Sequence, residues 1–321
     1  MTETLRLDAR EPGAIDSAAD LLRRGDLVAF ATETVYGLGA DATQPDAVAK
    51  IFAAKGRPQT NPLIAHVASL QMAREWAGGW SDAAAALGEA FWPGPLTIIV
   101  PRTDRIVASV SAGLPTVGLR VPDGVAARAL IGGLGRPVAA PSANRSEHVS
   151  PTTAQHVLDD LGGRISMVLD SGPTGVGIES TVVDVTGERA RVLRRGPVEL
   201  DALREVLGHV DAVQQLFEGS AAQVSPGQSV RHYAPDVPCV RVEGQSYEAR
   251  AGDVVVAAGR AMNGAHALPT PDVAARELYA LLRRLEREGA ARIVVMMPPE
   301  TTAWAAVRDR LLRATKPYSA G

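Results

Sequence analysis

The 321-residue chain holds a single cysteine, Cys239, which excludes an internal disulfide and any cysteine-built metal cage. It has only three lysines, Lys50, Lys55 and Lys316, among 33 basic residues. Aromatic residues make up 4% of the chain and the formal net charge is −3, so neither a global basic field nor a broad stacking surface advertises a nucleic-acid partner. The longest apolar runs, such as 96–100 and 293–297, are strand-sized and far short of the roughly 20 residues that span a bilayer. The opening Met1-Thr2-Glu3-Thr4-Leu5-Arg6-Leu7 has neither a charged n-region nor an apolar h-region, so a cytoplasmic address and no membrane partner are expected. Familiar motifs are missing as well. There is no Walker A loop, no His-Glu-x-x-His and no Gly-x-Ser-x-Gly elbow, and Gly37-Leu38-Gly39 does not continue into a dinucleotide fingerprint. The six histidines lack ligand-like spacing, so no metal site built from side chains is expected.

With 46% hydrophobic residues the chain can bury the cores of two domains. Short β-rich runs at 27–31, 63–67, 96–100, 117–121, 137–140, 167–170, 181–185 and 191–195 are interspersed with helical windows at 17–24, 45–54, 83–91 and 152–161, which predicts an α/β domain. Because no good helix separates 96–100 from 117–121, the sheet is expected to be mixed and partly antiparallel. Residues 218–237 turn to Gly, Ser, Gln and Pro and read as a linker between a first domain over 1–217 and a small α/β domain over 238–321. In the second domain strands are expected at 238–242, 253–257 and 292–297, with helices at 272–288 and 303–314. Leu278, Leu281, Leu282 and Leu285 follow helical spacing and belong to its core.

A chain that writes its cations as arginine keeps Lys55 in Lys55-Gly56-Arg57-Pro58-Gln59-Thr60-Asn61-Pro62, and a compact ammonium is not interchangeable with a planar guanidinium. Such a loop can grip a polyphosphate with Lys55 and Arg57 while Asn61 adds hydrogen bonds. Lys50 is assigned instead to the negative end of the helix before it. Further polar loops lie at the mouths of predicted strands, where open sheets bind ligands: Thr32-Glu33-Thr34-Val35-Tyr36-Gly37-Leu38, Pro141-Ser142-Ala143-Asn144, Gly177-Ile178-Glu179-Ser180-Thr181 and Val192-Leu193-Arg194-Arg195-Gly196-Pro197. Ser150, in Ser150-Pro151-Thr152-Thr153, also suits an N-cap for a helix from Pro151. The cluster Arg189, Arg191, Arg194 and Arg195 fits an anion pocket and a solvated face equally well.

In order, over residues 28–235, the Lys-x-Arg, Ser-x-Asn, Glu-Ser-Thr-Val and Leu-Arg-x-Gly segments and the stretch Ser225-Pro226-Gly227 to Arg231-His232-Tyr233-Ala234-Pro235 resemble the YrdC-like threonylcarbamoyl-AMP synthases in their long, two-domain form. The resemblance implies a mixed, twisted open sheet with helices on both sides around a large cavity, followed by a small Rossmann-like domain. It implies a nucleotidyltransferase that condenses L-threonine, bicarbonate or carbon dioxide, and ATP into threonylcarbamoyl-AMP with release of pyrophosphate, for N6-threonylcarbamoyladenosine in tRNA. Mg2+ would be carried by ATP, the product would pass to a downstream tRNA-modifying transfer machinery, and stable tRNA binding is not expected. Matched by position, Thr34, His66, Arg120, Ser180 and the backbone of Ala140 resemble the threonine-binding set, with Arg120 suited to the amino-acid carboxylate. Lys55, Arg57, Asn61, Thr116, Ser142, Asn144, Ser150, Arg194 and Tyr233 resemble the ATP-binding set, with Lys55 and Arg57 placed on the triphosphate as the catalytic pair. Arg231, His232 and Tyr233 resemble a lid over the filled site. The tail after residue 236 reads as shorter than in many long-form members. A reading from another class, an RNA-binding or ribosome-associated factor using a cationic cavity, has net acidity and the scarcity of aromatics against it.

Overall fold

The computed structural model describes residues 3–212, 233–244 and 247–318. Its first sheet comprises β1 (Leu5–Asp8), β2 (Val28–Ala31), β3 (Tyr36–Asp41), β4 (Ile64–His66), β5 (Leu96–Pro101), β6 (Thr116–Arg120), β7 (Val138–Ala139), β8 (Met167–Asp170), β9 (Thr181–Asp184), β10 (Ala190–Arg194) and β11 (Val210–Ala212). They lie in the order β1-β8-β2-β3-β7-β4-β6-β5-β9-β10-β11. Parallel pairs such as β4 with β6 and β5 with β9 alternate with antiparallel ones such as β2 with β3 and β5 with β6, so the sheet is mixed, as the missing helix between β5 and β6 predicts.

Seven α-helices cover this sheet: α1 (Ala14–Arg23), α2 (Pro45–Lys55), α3 (Leu70–Trp76), α4 (Asp82–Phe91), α5 (Val125–Leu134), α6 (Ala154–Leu161) and α7 (Leu200–Leu207). The two-residue period of β2 shows how the layers form. Val28 and Phe30 pack with Ala18 and Leu22 of α1 and Leu130 and Ile131 of α5, whereas Ala29 and Ala31 belong to the opposite core with Val48 and Ile51 of α2. β3 was not foreseen because its glycines carry little strand propensity. Gly39 is required there: a Cβ would lie 2.8 Å from Phe30 Cε1 and 2.9 Å from Val138 Cγ1. A second unforeseen element, α5, runs through Gly132 and Gly133, which lower helix propensity.

The second domain has β12 (Cys239–Val242), β13 (Asp253–Ala258), β14 (His266–Leu268), β15 (Arg292–Met296) and β16 (Lys316–Pro317), ordered β14-β13-β15-β12-β16 and parallel throughout, as a Rossmann-like unit requires. α8 (Pro271–Arg287) and α9 (Ala305–Ala314) pack on it. α8 starts where Thr270 accepts the amide of Val273 and Pro271 occupies the first turn. Leu278, Leu281, Leu282 and Leu285 are core, as expected, but the same cluster takes in Val35, Val149, Ile178 and Tyr233. The two domains therefore share one apolar interior. Most of the expected linker lies in 213–232, outside the described residues. Among the described residues, no helix is long and apolar enough to cross a membrane.

Gly177 marks how closely the domains approach. It has φ +84°, and a Cβ there would lie 2.4 Å from the carbonyl oxygen of Ala275 and 2.5 Å from Cα of Arg276, both on α8. Gly177→Ala is expected to cost about 2 kcal/mol or more, through left-handed strain and overpacking, measured as a lower urea midpoint at an unchanged m-value.

Candidate active site

Thr32, Glu33 and Thr34 turn the chain from β2 into β3. The Thr32 hydroxyl donates to the Val35 carbonyl at 2.7 Å and accepts the Thr34 amide at 3.2 Å, while the two threonine hydroxyls sit 2.8 Å apart. β3 then zips onto the 141–143 loop, with Leu38 N–H donating to Pro141, Ala143 N–H to Tyr36, and Gly37 bridged to Ser142. The 176–177 backbone is tied to the same turn by donation from Val176 and Gly177 to the carbonyls of Glu33 and Thr34. His66 and Arg120 are register partners at the ends of parallel β4 and β6. Ser180 and Arg194 are brought together by the antiparallel pairing of β9 and β10. Arg194 donates to the Ser180 carbonyl and hydroxyl, each at 3.0 Å, and that hydroxyl lies 2.8 Å from Thr97 Oγ1.

These loops enclose a cavity of about 50 Å³ whose wall includes Thr34, Arg57, His66, Arg120, Ala140, Ser142, Arg194 and Tyr233. The expected large cavity is thus small in this structure, because the buried Tyr233, at φ 62°, forms part of the wall. Lys55, Asn61, Thr116, Asn144, Ser150 and Ser180 lie outside that wall. Thr116 is half-buried at the far end of β6 from Arg120, where it pairs with Pro101 of β5. Of the expected lid, Arg231 and His232 lie outside the described residues.

Several local assignments change. Ser150 is no N-cap: the helix starts at Ala154 and is capped by Thr153, which accepts from the His156 amide, while Ser150 donates to Glu179 Oε1 at 2.6 Å. Lys50 does more than end a helix, since Nζ reaches the Gly25 carbonyl at 2.7 Å and Asp26 at 3.3 Å. Of the arginine cluster at 189–195 only Arg194 is buried; Arg191 pairs with Asp184 at an exposed position. Asn144 amide nitrogen donates to the carbonyls of Arg145 and His148, which fixes its own loop.

The electrostatics of the site are unusual. Lys55, Arg57, Arg120 and Arg194 are all buried. Lys55 donates to the carbonyls of Ser142 and Asn144, and burial together with the Arg57 charge holds its amine well below the ordinary lysine value. Arg57 donates to the carbonyls of Asn61 and Pro62, and burial pushes it down to about 10. His66 is driven down to about 3 by burial and by Arg120, so its imidazole is neutral. Two carboxylates oppose these cations. Glu33 accepts from Arg120 at 2.6 Å and from the Asp123 amide at 3.0 Å. Glu179 accepts from Ser150, Tyr279 and Arg310. Burial works against its charge, but Arg310 and Arg194 outweigh burial and hold the carboxyl at about 2.

Among the described residues the buried Asn61 Oδ1 has no hydrogen-bond partner, while the buried His66 ring stands against the backbone of Ile64 and Val138. Native structures rarely leave a buried atom such as Asn61 Oδ1 unsatisfied, so it points to a ligand. Of the two carboxylates only Glu179 lines the cavity; Glu33 stands behind Arg120. Sequence reasoning named Glu33 and Glu179 only as motif members and missed Tyr279 and Arg310, which reach this region from the second domain.

The Sua5/YciO/YrdC family model, described as telomere recombination, matches residues 20–196, and the model for the threonylcarbamoyl-AMP synthase C-terminal domain matches 198–315. The threonylcarbamoyl-AMP synthase of Bacillus subtilis is 38% identical over 330 aligned positions, covering 97% of this chain and 95% of that protein. That of Pyrococcus abyssi is 38% identical, covering 95% of each. The crystal structure of P. abyssi Sua5 complexed with L-threonine superposes with a TM-score of 0.87 at 35% identity, over 99% of this chain and 100% of the other. E. coli YciO, at 22% identity and a TM-score of 0.55 over 61% of this chain, shares the fold of the first domain.

Because Glu179 is held ionised by its partners, its contribution to stability is present above the ordinary value of 4.5 and is lost as the pH falls from there towards about 2. The stability gap between the wild type and Glu179→Gln is expected to be about 3 kcal/mol near neutrality and to close over that acid range, read from urea unfolding at a series of pH values.

Proposed function

Since the chain belongs to the threonylcarbamoyl-AMP synthase family, we propose that its cavity condenses L-threonine, bicarbonate or carbon dioxide, and ATP into threonylcarbamoyl-AMP and pyrophosphate, with one water released when the amine takes its carboxyl group from bicarbonate; the product is the activated intermediate for threonylcarbamoylation of tRNA adenosine. The observation that carries the site assignment is the gathering of Arg57, Arg120 and Arg194 in one buried wall, with Lys55 buried behind it, two carboxylates opposing them, and Asn61 Oδ1 unsatisfied among the described residues. A cavity so charged is completed by an anionic ligand.

Arg120 is suited to the threonine carboxylate, displacing or sharing its present partner Glu33. Neutral His66, Thr34, Ser180 and the Ala140 backbone surround the rest of the amino acid. Chemistry then consists of a carbamate oxygen forming a bond to the α-phosphorus as the bond from that phosphorus to the bridging oxygen breaks, the electron pair leaving with pyrophosphate. Lys55 and Arg57 neutralise the charge that accumulates on the departing group, and Arg194 adds to that field. No protein nucleophile is needed; holding the reactants in line supplies much of the acceleration. ATP would bring its own Mg2+, which would supply further charge neutralisation at the phosphates.

A triphosphate does not fit in about 50 Å³, so Tyr233 gives way when ATP enters and returns over it, which excludes water from the acyl phosphate. We assign catalysis to residues 1–217, with 218–237 joining them to the domain at 238–321. The product passes to a separate tRNA-modifying transfer machinery in the cytoplasm. A nucleic-acid backbone has no access to cations this deeply buried, which disfavours the RNA-binding alternative.

Given L-threonine, bicarbonate and Mg-ATP, the protein is expected to release pyrophosphate, and Lys55→Ala or Arg57→Ala to abolish the release; ATP turnover at the same rate without threonine contradicts this function. Bringing phosphates to Lys55 restores its ordinary basicity, so ATP binding takes up a proton. Affinity therefore strengthens as the pH falls from the ordinary lysine range towards the depressed value of the free protein. Calorimetry in two buffers of different ionisation enthalpy is expected to register this uptake at pH values below the ordinary lysine range, and Lys55→Met to remove it.

A further inference from the structure

Arg310 of α9 has no exposed surface, although it belongs to the second domain. Its Nε donates to Glu179 Oε2 at 2.8 Å, Nη2 to the Glu179 carbonyl at 3.2 Å, and Nη1 to the Arg195 carbonyl at 2.9 Å and to Asp309 at 2.7 Å. Tyr279 of α8 donates its hydroxyl to the same Glu179 Oε2 at 2.9 Å. The guanidinium carbon of Arg310 lies 5.2 Å from the centre of the Tyr233 ring, which stacks on Tyr279 with centroids 5.7 Å apart. The residues so held adjoin the site: Ser150 and Arg194 are assigned to the nucleotide, and Ser180 to threonine. Glu179 precedes Ser180, Arg195 follows Arg194, and Glu179 takes the hydroxyl hydrogen of Ser150. Gly196 permits the closeness of these strand ends, since a Cβ there would lie 2.3 Å from the Thr181 nitrogen.

We propose that Arg310 and Tyr279 are positioning residues of the ATP site, acting through Glu179 and Tyr233, so that the second domain is part of the nucleotide-binding machinery. This rests on the nucleotide-site reading above. A buried carboxylate at Glu179 stands only if donors satisfy it, and two of its three side-chain donors come from the second domain. Held there, Glu179 fixes the role of Ser150. With its one hydrogen committed to the carboxylate, the Ser150 hydroxyl offers a ligand only acceptor lone pairs. That suits a ribose hydroxyl or the adenine amino group and not a phosphate oxygen. The aromatic stack on Arg310 sets the seat to which Tyr233 returns.

The test uses the full chain and calorimetric titration with a non-hydrolysable ATP analogue and, separately, L-threonine. Arg310→Lys keeps the charge but cannot reproduce the guanidinium fork, and Tyr279→Phe removes one oxygen. We expect analogue affinity to fall about tenfold in the first and about threefold in the second, corresponding to the loss of one to a few hydrogen bonds, with L-threonine affinity preserved to within about twofold. Should Arg310→Lys fail to fold, Tyr279→Phe decides. Unchanged analogue affinity in the folded variants overturns the proposal, as does an equal weakening of both ligands in step with the unfolding temperature. A wild-type chain that binds no analogue removes the nucleotide-site reading itself, and the proposal with it.

Discussion

Burying three arginines in the wall of one small cavity, with Lys55 buried just behind it against the Ser142 carbonyl, is the constraint on which the remaining structure depends. Isolated charges in a protein interior cost several kcal/mol each, so each needs a partner. The chain provides them in different ways. Arg120 has the Glu33 carboxylate, Arg194 has the Ser180 carbonyl and hydroxyl near Glu179, and Lys55 has only carbonyl oxygens and the more distant Asn144 side chain. Lys55 and Arg57 have no carboxylate partner, only carbonyl and amide oxygens, and burial holds both below their ordinary basicity, Lys55 further lowered by the Arg57 charge. A chain that otherwise writes its buried cations as arginine keeps an ammonium where charge must respond to an arriving anion.

The same constraint explains the second domain. Glu179 opposes the cations of the cavity but is itself buried, and the charge that stabilises it comes from Arg310, more than 130 positions later in the chain. The shared apolar cluster containing Val149, Ile178, Tyr233, Leu278 and Tyr279 gives that ion pair a dry and rigid setting. Apart from this network stands the set His148, Asp160, Arg283 and Glu286, where Arg283 donates to Asp160 at 2.7 Å and His148 bridges Asp160 to Glu286, so the two domains are joined by charge at a second point.

Much of this was legible in the sequence, for local reasons. Short β-rich apolar runs marked β2, β5, β8 and β9, and strand-mouth loops rich in Lys, Arg, Ser, Asn and Thr marked the residues that converge. Gly-rich β3 and α5 were hidden because close packing at Gly39 overrides the weak propensity of glycine. Ser150 looked like a cap because hydroxyl residues serve both purposes; only the structure shows Glu179 taking its hydrogen. Tyr279 adjoins an evident leucine stripe and Arg310 lies on a helix of ordinary amphipathic pattern, and no local signal distinguishes a buried cross-domain partner from a surface arginine. Long-range pairing has no sequence period.

The central claim is that one buried, cation-rich cavity holds threonine and the nucleotide together. It is tested most directly by titrating L-threonine calorimetrically with and without a saturating non-hydrolysable ATP analogue. The account predicts threonine binding that tightens about tenfold or more when the nucleotide is present, because each ligand completes the other's site. Threonine affinity that is identical in both conditions would contradict it.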